Sequence, residues 1–494
     1  MQNATLLFFI GLYLLATLLI GWWASRKVHT AADFVVAGKR LPMFVAACAL
    51  FATWFGSETV MGASSQFAEH GLLGVIEDPF GAALCLFLAG LLVARPLYKL
   101  NLLTFSDFFR MRFGKKAEVT SAFFMIPSYF GWIAAQLVAL SVVLNVVCGL
   151  EREWGVLICT VLVVIYTYLG GMWSVAITDF AQSIAIVAGL LWLALDMVGR
   201  VGGFEQMAAS APPGFFRFLP EPKPLNIIEW VAALMTIGLG SIPQQDVFQR
   251  VMSAKTERAS VHACYTSSVM YLTVAFLPLI ICYCARLLYP ELMKEDTQRM
   301  IPVMVLQHQG LGMQILFFGA LLSAILSTCS GALLAPATVL GENLIRPLYK
   351  HIGDAQLLRI MRLSVVGVAL VTCAMAIRRD DIYELVGESS TLSLVSLFVP
   401  LIGGLYWKKA TSTGAILSMT VGMGAWLLAL SVLPPVAAKA TPGSTLHLFT
   451  SVPPMLYGLA VSAIALWVGS MAGRQVVETK SEAEGAAPYN RNTE

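Results

Sequence analysis

A helix needs about 20 consecutive apolar residues to cross the ~30 Å hydrocarbon layer of a membrane. Runs of that kind follow one another along almost the whole of this 494-residue chain. Mean hydropathy is +0.76 and only 12% of residues are charged, where a soluble domain carries about 25%. That excludes a soluble enzyme. No polar stretch is long enough to fold by itself, so the chain reads as one all-α polytopic membrane domain over 1–475, followed by a polar cytoplasmic tail at 476–494. Thirteen transmembrane helices are expected, near 5–23, 43–68, 72–94, 119–147, 154–172, 175–198, 227–246, 262–288, 312–341, 359–377, 382–407, 411–433 and 451–472. The boundary at Gly170 and Gly171 is short, and the third span contains Pro79.

The opening segment "MQNATLLFFIGLYLLATLLIGWWASRK" has its positive charges after the apolar run and no small-residue cleavage site, so it reads as a retained span. With the N-terminus outside and the C-terminus cytoplasmic, most Lys and Arg fall in cytoplasmic loops, among them Arg95, Lys99, Arg110, Arg112, Lys115, Lys116 and Arg250. The net charge is only +3 and forms no basic stripe, so nucleic-acid binding has no support. Nine cysteines sit mostly in apolar runs without a CxxC pair and read as packing residues. The six histidines show no HExxH or paired-ligand spacing; no transition metal, cofactor or catalytic constellation is expected.

Broken membrane helices free backbone carbonyls that can hold ions and solutes. Two spans show that disruption: "ACALFATWFGSETVMGASSQF", with Gly56, Ser57 and Glu58 mid-span, and "MTIGLGSIPQQDVFQRVM", with Gly238, Gly240, Ser241 and Pro243. Small residues also permit simple close packing. Yet the two breaks occupy the first and sixth positions of a five-plus-five count that starts at the second span, the spacing of an inverted-repeat transporter core. In the ninth span, "FFGALLSAILSTCSGALLAPATVLGENL", Ser323, Ser327, Thr328 and Ser330 supply hydroxyls. Sodium takes hard oxygen ligands, although a helical hydroxyl can also bond back to its own helix.

These segments resemble the sodium/solute symporter family, whose members include proline, galactose and choline transporters. "AILST" at 324–328 is similar to the family's sodium motif. "YTYLGGMWSVAITDFAQ" at 166–182, "TFSDFFRMRFG" at 104–114 and "FQRVMSA" at 248–254 resemble further family segments, in family order. The resemblance implies a LeuT-like fold, with core repeats near 43–198 and 227–407, extra helices at 5–23, 411–433 and 451–472, and transport by alternating access. It implies one sodium site built from carbonyls of Ala52, Phe55 and Ala324 and hydroxyls of Ser327 and Thr328. Asp179, with Ser330, matches residues of sodium coupling or exit. Some relatives bind a second sodium with two adjacent serines; here the pair is Ser330 and Gly331, so one sodium per cycle is expected.

Solute contacts are expected from Trp54, Thr59, Trp132, Gln136, Gln244 and Gln245. Trp54 and Trp132 match tryptophans of choline-transporting members, where aromatic faces attract a quaternary ammonium. Gln244 replaces a third such tryptophan, which opens the choice to amino acids or small organic acids. The absence of Arg or Lys in the break region disfavours a dicarboxylate. Glu58 reads first as structural, Asp246 as lying near the cytoplasmic gate, and Glu384 and Glu388 as vestibule or helix-end residues. The expected protein is a sodium-coupled symporter of a small polar solute, multi-pass in a plasma membrane of the bacterial inner-membrane type, with a monomeric or dimeric state left open. The alternatives are proton coupling through Glu58 or Asp179, and a solute sensor that does not transport.

Overall fold

A computed structural model describes residues 2–473 apart from 27, 101, 295, 350–352 and 438–443. The expected polar tail at 476–494 lies outside the described residues. The expected spans lie mainly on helix, with non-helical stretches at 52–56 and 241–244. In chain order the main helices are α1 (Gln2–Ser25), α2 (Met43–Phe51), α3 (Ser64–His70), α4 (Ala82–Leu88), α5 (Phe130–Cys148), α6 (Arg152–Val201), α7 (Pro224–Gly240), α8 (Gln245–Ser253), α9 (Glu257–Val274) and α10 (Phe276–Leu288). Then come α11 (Leu311–Val339), α12 (Asp354–Arg378), α13 (Ile382–Ser393), α14 (Ser412–Ala437) and α15 (Pro454–Ala472). Among the described residues nine helices are long and apolar enough to cross a membrane, and α7 with α8, bent by 51°, makes a tenth.

The expected boundary inside the fifth and sixth spans is real. Within α6, Gly171 has φ 53° and ψ −156°, and a Cβ there would stand 2.4 Å from the Phe34 ring. Both facts require glycine. The hydroxyls of Tyr166 and Thr178 meet at 2.5 Å across this point, whereas twelve residues of straight helix span about 18 Å. The chain therefore doubles back at Gly171.

α11 is the central post. All but four of its 29 residues are buried, and it packs against α5, α6 and α12. A helix apolar all round belongs in such a position. α14 and α15 pack on one another at the periphery. The two broken helices are tied together at one end: Leu41 donates to Ser253 at 3.0 Å, and Lys255 donates to Leu41 at 2.8 Å. This fixes the entry to α2 beside the exit from α8.

Candidate ion and solute site

α2 stops at Phe51 because Ala52 to Gly56 leave the helical ladder before helix resumes at Ser57. The freed Ala52 carbonyl accepts the Thr328 hydroxyl of α11 at 2.9 Å. Gly56 allows this approach, since a Cβ there would lie 3.2 Å from both Thr328 Oγ1 and Gln136 Oε1. Ser327 donates to Asp179 Oδ1 at 2.5 Å, and Thr178 lies 3.4 Å from Ser327. Ala324 is buried one turn earlier on α11, and the Phe55 ring stacks on Phe51 at 4.7 Å. Ser330 accepts from Thr167 at 2.9 Å. The break of one helix, the hydroxyls of α11 and the carboxylate of α6 thus meet at one place.

The expected solute residues divide. Trp54 is buried edge-on to Tyr271, with ring centroids 6.5 Å apart. Thr59 is occupied: it contacts Asp78 Oδ2 at 2.7 Å and the Tyr271 hydroxyl at 2.6 Å. The Trp132 backbone donates to Ser389 at 2.9 Å, while its buried indole N–H makes no hydrogen bond. Gln136 accepts from the Ser57 N–H at 3.4 Å, and its amide nitrogen makes none. Gln244 caps α8 with its side-chain oxygen buried and unpartnered. Gln245 is directed elsewhere: its oxygen accepts from Phe105 N at 2.6 Å, which ties α8 to the 104–114 segment.

Three buried charged residues surround the breaks, and sequence reasoning placed one of them, Arg250, differently. Glu58, read first as structural, is 1% exposed; neither oxygen has a partner at hydrogen-bond geometry, the neighbouring Trp132 indole is the donor that faces it, and the Asp78 and Asp246 carboxylates lie within electrostatic reach. Asp78 was overlooked. Arg250 is not a loop cation but a fully buried side chain of α8, its Nε donating to the Ala49 carbonyl at 2.9 Å. A cation therefore does stand beside the first break, contrary to expectation. The signal was its position in the amphipathic run "QQDVFQRVM", one turn after Asp246. Glu384 and Glu388 both pair with Arg379, at 3.2 Å and 2.5 Å, at the start of α13.

A central broken-helix pair with hydroxyl, carbonyl and carboxylate oxygens at the break defines an ion-coupled membrane transporter. Residues 34–422 match the model of the sodium:solute symporter family, and the chain belongs to that family. It is 26% identical over 445 residues to the high-affinity choline transporter 1 of Drosophila melanogaster, covering 86% of this chain and 69% of that one. It is 26% identical over 440 residues to the osmoregulated proline transporter OpuE of Bacillus subtilis (strain 168), covering 85% and 87%. A substrate-bound, outward-open Na+-coupled sialic acid symporter has the same fold, with a TM-score of 0.73 at 19% identity over 96% of this chain and 98% of the other. MhsT, solved with L-phenylalanine, superposes with a TM-score of 0.55 at 14% identity, covering 88% and 99%. The fold is LeuT-like, and the protein is a multi-pass membrane symporter coupling sodium to a small solute, not an enzyme.

Proposed function

We propose that this symporter imports a small solute carrying a positively charged nitrogen, by alternating access, with one sodium per cycle. The sodium would be held by the Ala52, Phe55 and Ala324 carbonyls and the Ser327 and Thr328 hydroxyls, with Asp179 and Ser330 in coupling or release. Thirteen crossings, the N-terminus outside and the C-terminus inside, in a bacterial inner membrane, complete the reading; the placement of Lys and Arg supports it.

The observation that carries the solute class is the Glu58 carboxylate, buried with no cation beside it and faced only by the Trp132 indole. Around the breaks the buried side-chain atoms without hydrogen bonds include the acceptors Glu58 Oε1 and Oε2, Asp78 Oδ1, Asp179 Oδ2, Asp246 Oδ2 and Gln244 Oε1, against the donors Trp132 Nε1, Gln136 Nε2 and the Ser57 hydroxyl. Asp179 and Asp246 face the Arg250 guanidinium at 4.0 Å, which leaves Glu58 and Asp78 without a cation, and a buried charge without one is strongly unfavourable. An acceptor-rich, aromatic-lined place is relieved by a cation, whether a quaternary amine or the ammonium of an amino acid. Relatives that transport choline and proline both carry such a nitrogen, which supports the class without selecting its member.

The test is uptake of radiolabelled choline, glycine betaine, proline and sialic acid into proteoliposomes, under inward sodium or potassium gradients. Sodium-driven uptake of at least one nitrogen-cation solute, lost in Glu58→Gln, is expected. Uptake of the carboxylic sugar alone would sink the cation class and leave sodium symport intact. Uptake driven equally by potassium but enhanced by an inward proton gradient would replace sodium with protons.

A further inference from the structure

Glu58 and Asp78 are both 1% exposed and meet beside the first break from two chain segments. Glu58 begins the turn Glu58–Ala63, and Asp78 lies in extended backbone, φ −137° and ψ 118°, just before α4. Three of their four carboxylate oxygens, Glu58 Oε1 and Oε2 and Asp78 Oδ1, make no hydrogen bond. The fourth, Asp78 Oδ2, accepts from the Thr59 hydroxyl at 2.7 Å, and the Tyr271 hydroxyl stands 2.6 Å from Thr59. A hydroxyl has one proton to give. With Thr59 donating to Asp78, Tyr271 donates to Thr59, so the relay ends on an acceptor, as an ionised carboxylate requires.

Tyr271 lies within electrostatic reach of both carboxylates and forms part of an aromatic wall, its ring centroid 6.5 Å from Trp54, 6.0 Å from Phe51 and 6.1 Å from Phe55. The approach carries the same sign as the site. A cavity of about 170 Å³ borders the same span a turn beyond Glu58, at Gly62 and Ser65, and its wall includes Glu69, Asp296, Asp381 and Tyr383 with no Lys or Arg. Under the orientation proposed above it lies on the extracellular side. Tyr383 is within electrostatic reach of Asp78, so the cavity and the carboxylate pair are neighbours. A cleft lined by one sign of charge concentrates its counter-ions.

We propose that the solute is a short aliphatic diamine taken up as a dication, one ammonium on Glu58 and the other on Asp78, with its methylene chain along Tyr271 and Trp54. The inference rests on the nitrogen-cation reading above and narrows it. A single positive nitrogen neutralises one carboxylate and leaves the other buried and uncompensated, which is strongly unfavourable; two ammonium groups on one chain neutralise both. An ammonium also donates three hydrogen bonds, matching the three free carboxylate oxygens, whereas a quaternary nitrogen donates none.

Uptake of radiolabelled putrescine into proteoliposomes of the full chain, at neutral pH under an inward sodium gradient, tests this when competed with unlabelled putrescine, n-butylamine and choline. Sodium-driven putrescine uptake is expected, with n-butylamine competing about tenfold or more weakly than putrescine itself. In Asp78→Asn that preference should fall towards one. Equal competition by the two amines in the parent, or a preference that persists in Asp78→Asn, would overturn the inference alone. So would sodium-driven uptake of choline, glycine betaine or proline without putrescine; acceleration of that uptake by an inward proton gradient would mark a proton shared by the two carboxylates instead. Uptake of no nitrogen cation of any kind would overturn the nitrogen-cation reading and this inference together. Should Asp78→Asn fail to fold, the reversal potential of the parent decides: three charges per turnover with putrescine, one from sodium and two from the solute, supports the dication, and two overturns it.

Discussion

Thr328 donates to the Ala52 carbonyl at 2.9 Å, so the two oxygens converge. Thr328→Ala removes one of them and is expected to abolish sodium-specific thermal stabilisation, whereas Thr328→Ser keeps the hydroxyl and retains it. A ligand at 100 times its Kd stabilises by about 2.7 kcal/mol, so the difference between sodium and potassium melting curves should be large in the parent and vanish in the alanine variant. A sodium-dependent shift that survives Thr328→Ala would remove this hydroxyl from the site. Glu58→Gln is almost isosteric and takes away only the charge. A charged hydrogen bond contributes roughly 1.5–3 kcal/mol, so uptake of a nitrogen-cation solute should lose roughly ten- to a hundredfold in affinity while 22Na+ binding stays. Unchanged solute affinity would return Glu58 to a structural role.

Among the elements, the contact between α7 and α13 depends on Gly240, where a Cβ would stand 2.3 Å from the Ser390 carbonyl oxygen. Two backbones cannot separate for one methyl group without moving whole helices. Gly240→Ala is therefore expected to destabilise by about 1–3 kcal/mol, read as a lower melting temperature, and to impair uptake because Ser241, bonded to Ser390 at 3.1 Å, lies at the break itself. A second joint lies where Asn343, just beyond α11, meets the 104–118 region. Its amide donates to Asp107 at 2.8 Å and Glu118 at 2.9 Å and accepts from Thr104 at 2.8 Å. Asn343→Ala leaves polar groups without partners, each costing about 1–3 kcal/mol. The melting temperature should fall more than for Thr104→Ala, a single cap of about 1 kcal/mol. Both joints escaped sequence reading. Gly240 is visible as a helix breaker, but the partner it touches lies 150 residues away, and Asn343 sits in a run that otherwise reads as the end of a span.

Across the whole molecule, the direction of transport is set by charge moved through the membrane. Each elementary charge gains about 2.3 kcal/mol per 100 mV, and a tenfold sodium gradient adds about 1.4 kcal/mol. One sodium with a neutral or zwitterionic solute yields ~3.7 kcal/mol; one sodium with a monovalent cation yields ~6 kcal/mol and moves two charges per solute. Reversal potentials in proteoliposomes should therefore report two charges per turnover for a solute such as choline and one for a zwitterion. Three for choline would require a second sodium and would overturn the one-sodium reading. Much of this architecture was legible beforehand. Apolar run length marked the spans, and glycine, serine and proline inside such runs marked the breaks, because these are local consequences of lipid as a solvent. Hydroxyls on the ninth span and Asp179 on the sixth were likewise readable as chemistry. Their convergence was not: Asp179, Arg250 and Ser327 come from three distant segments, and a charge at position 250 has the same one-letter signature whether it faces a cytoplasmic loop or a buried carboxylate. The sequence by itself determined the helices, their interruptions and the kind of ligand they could offer, since hydrophobic length and backbone propensity act within a few turns. Only the tertiary structure decided which carboxylates share a cation and which of the candidate polar groups are already satisfied, because those depend on distances between helices that no local pattern encodes.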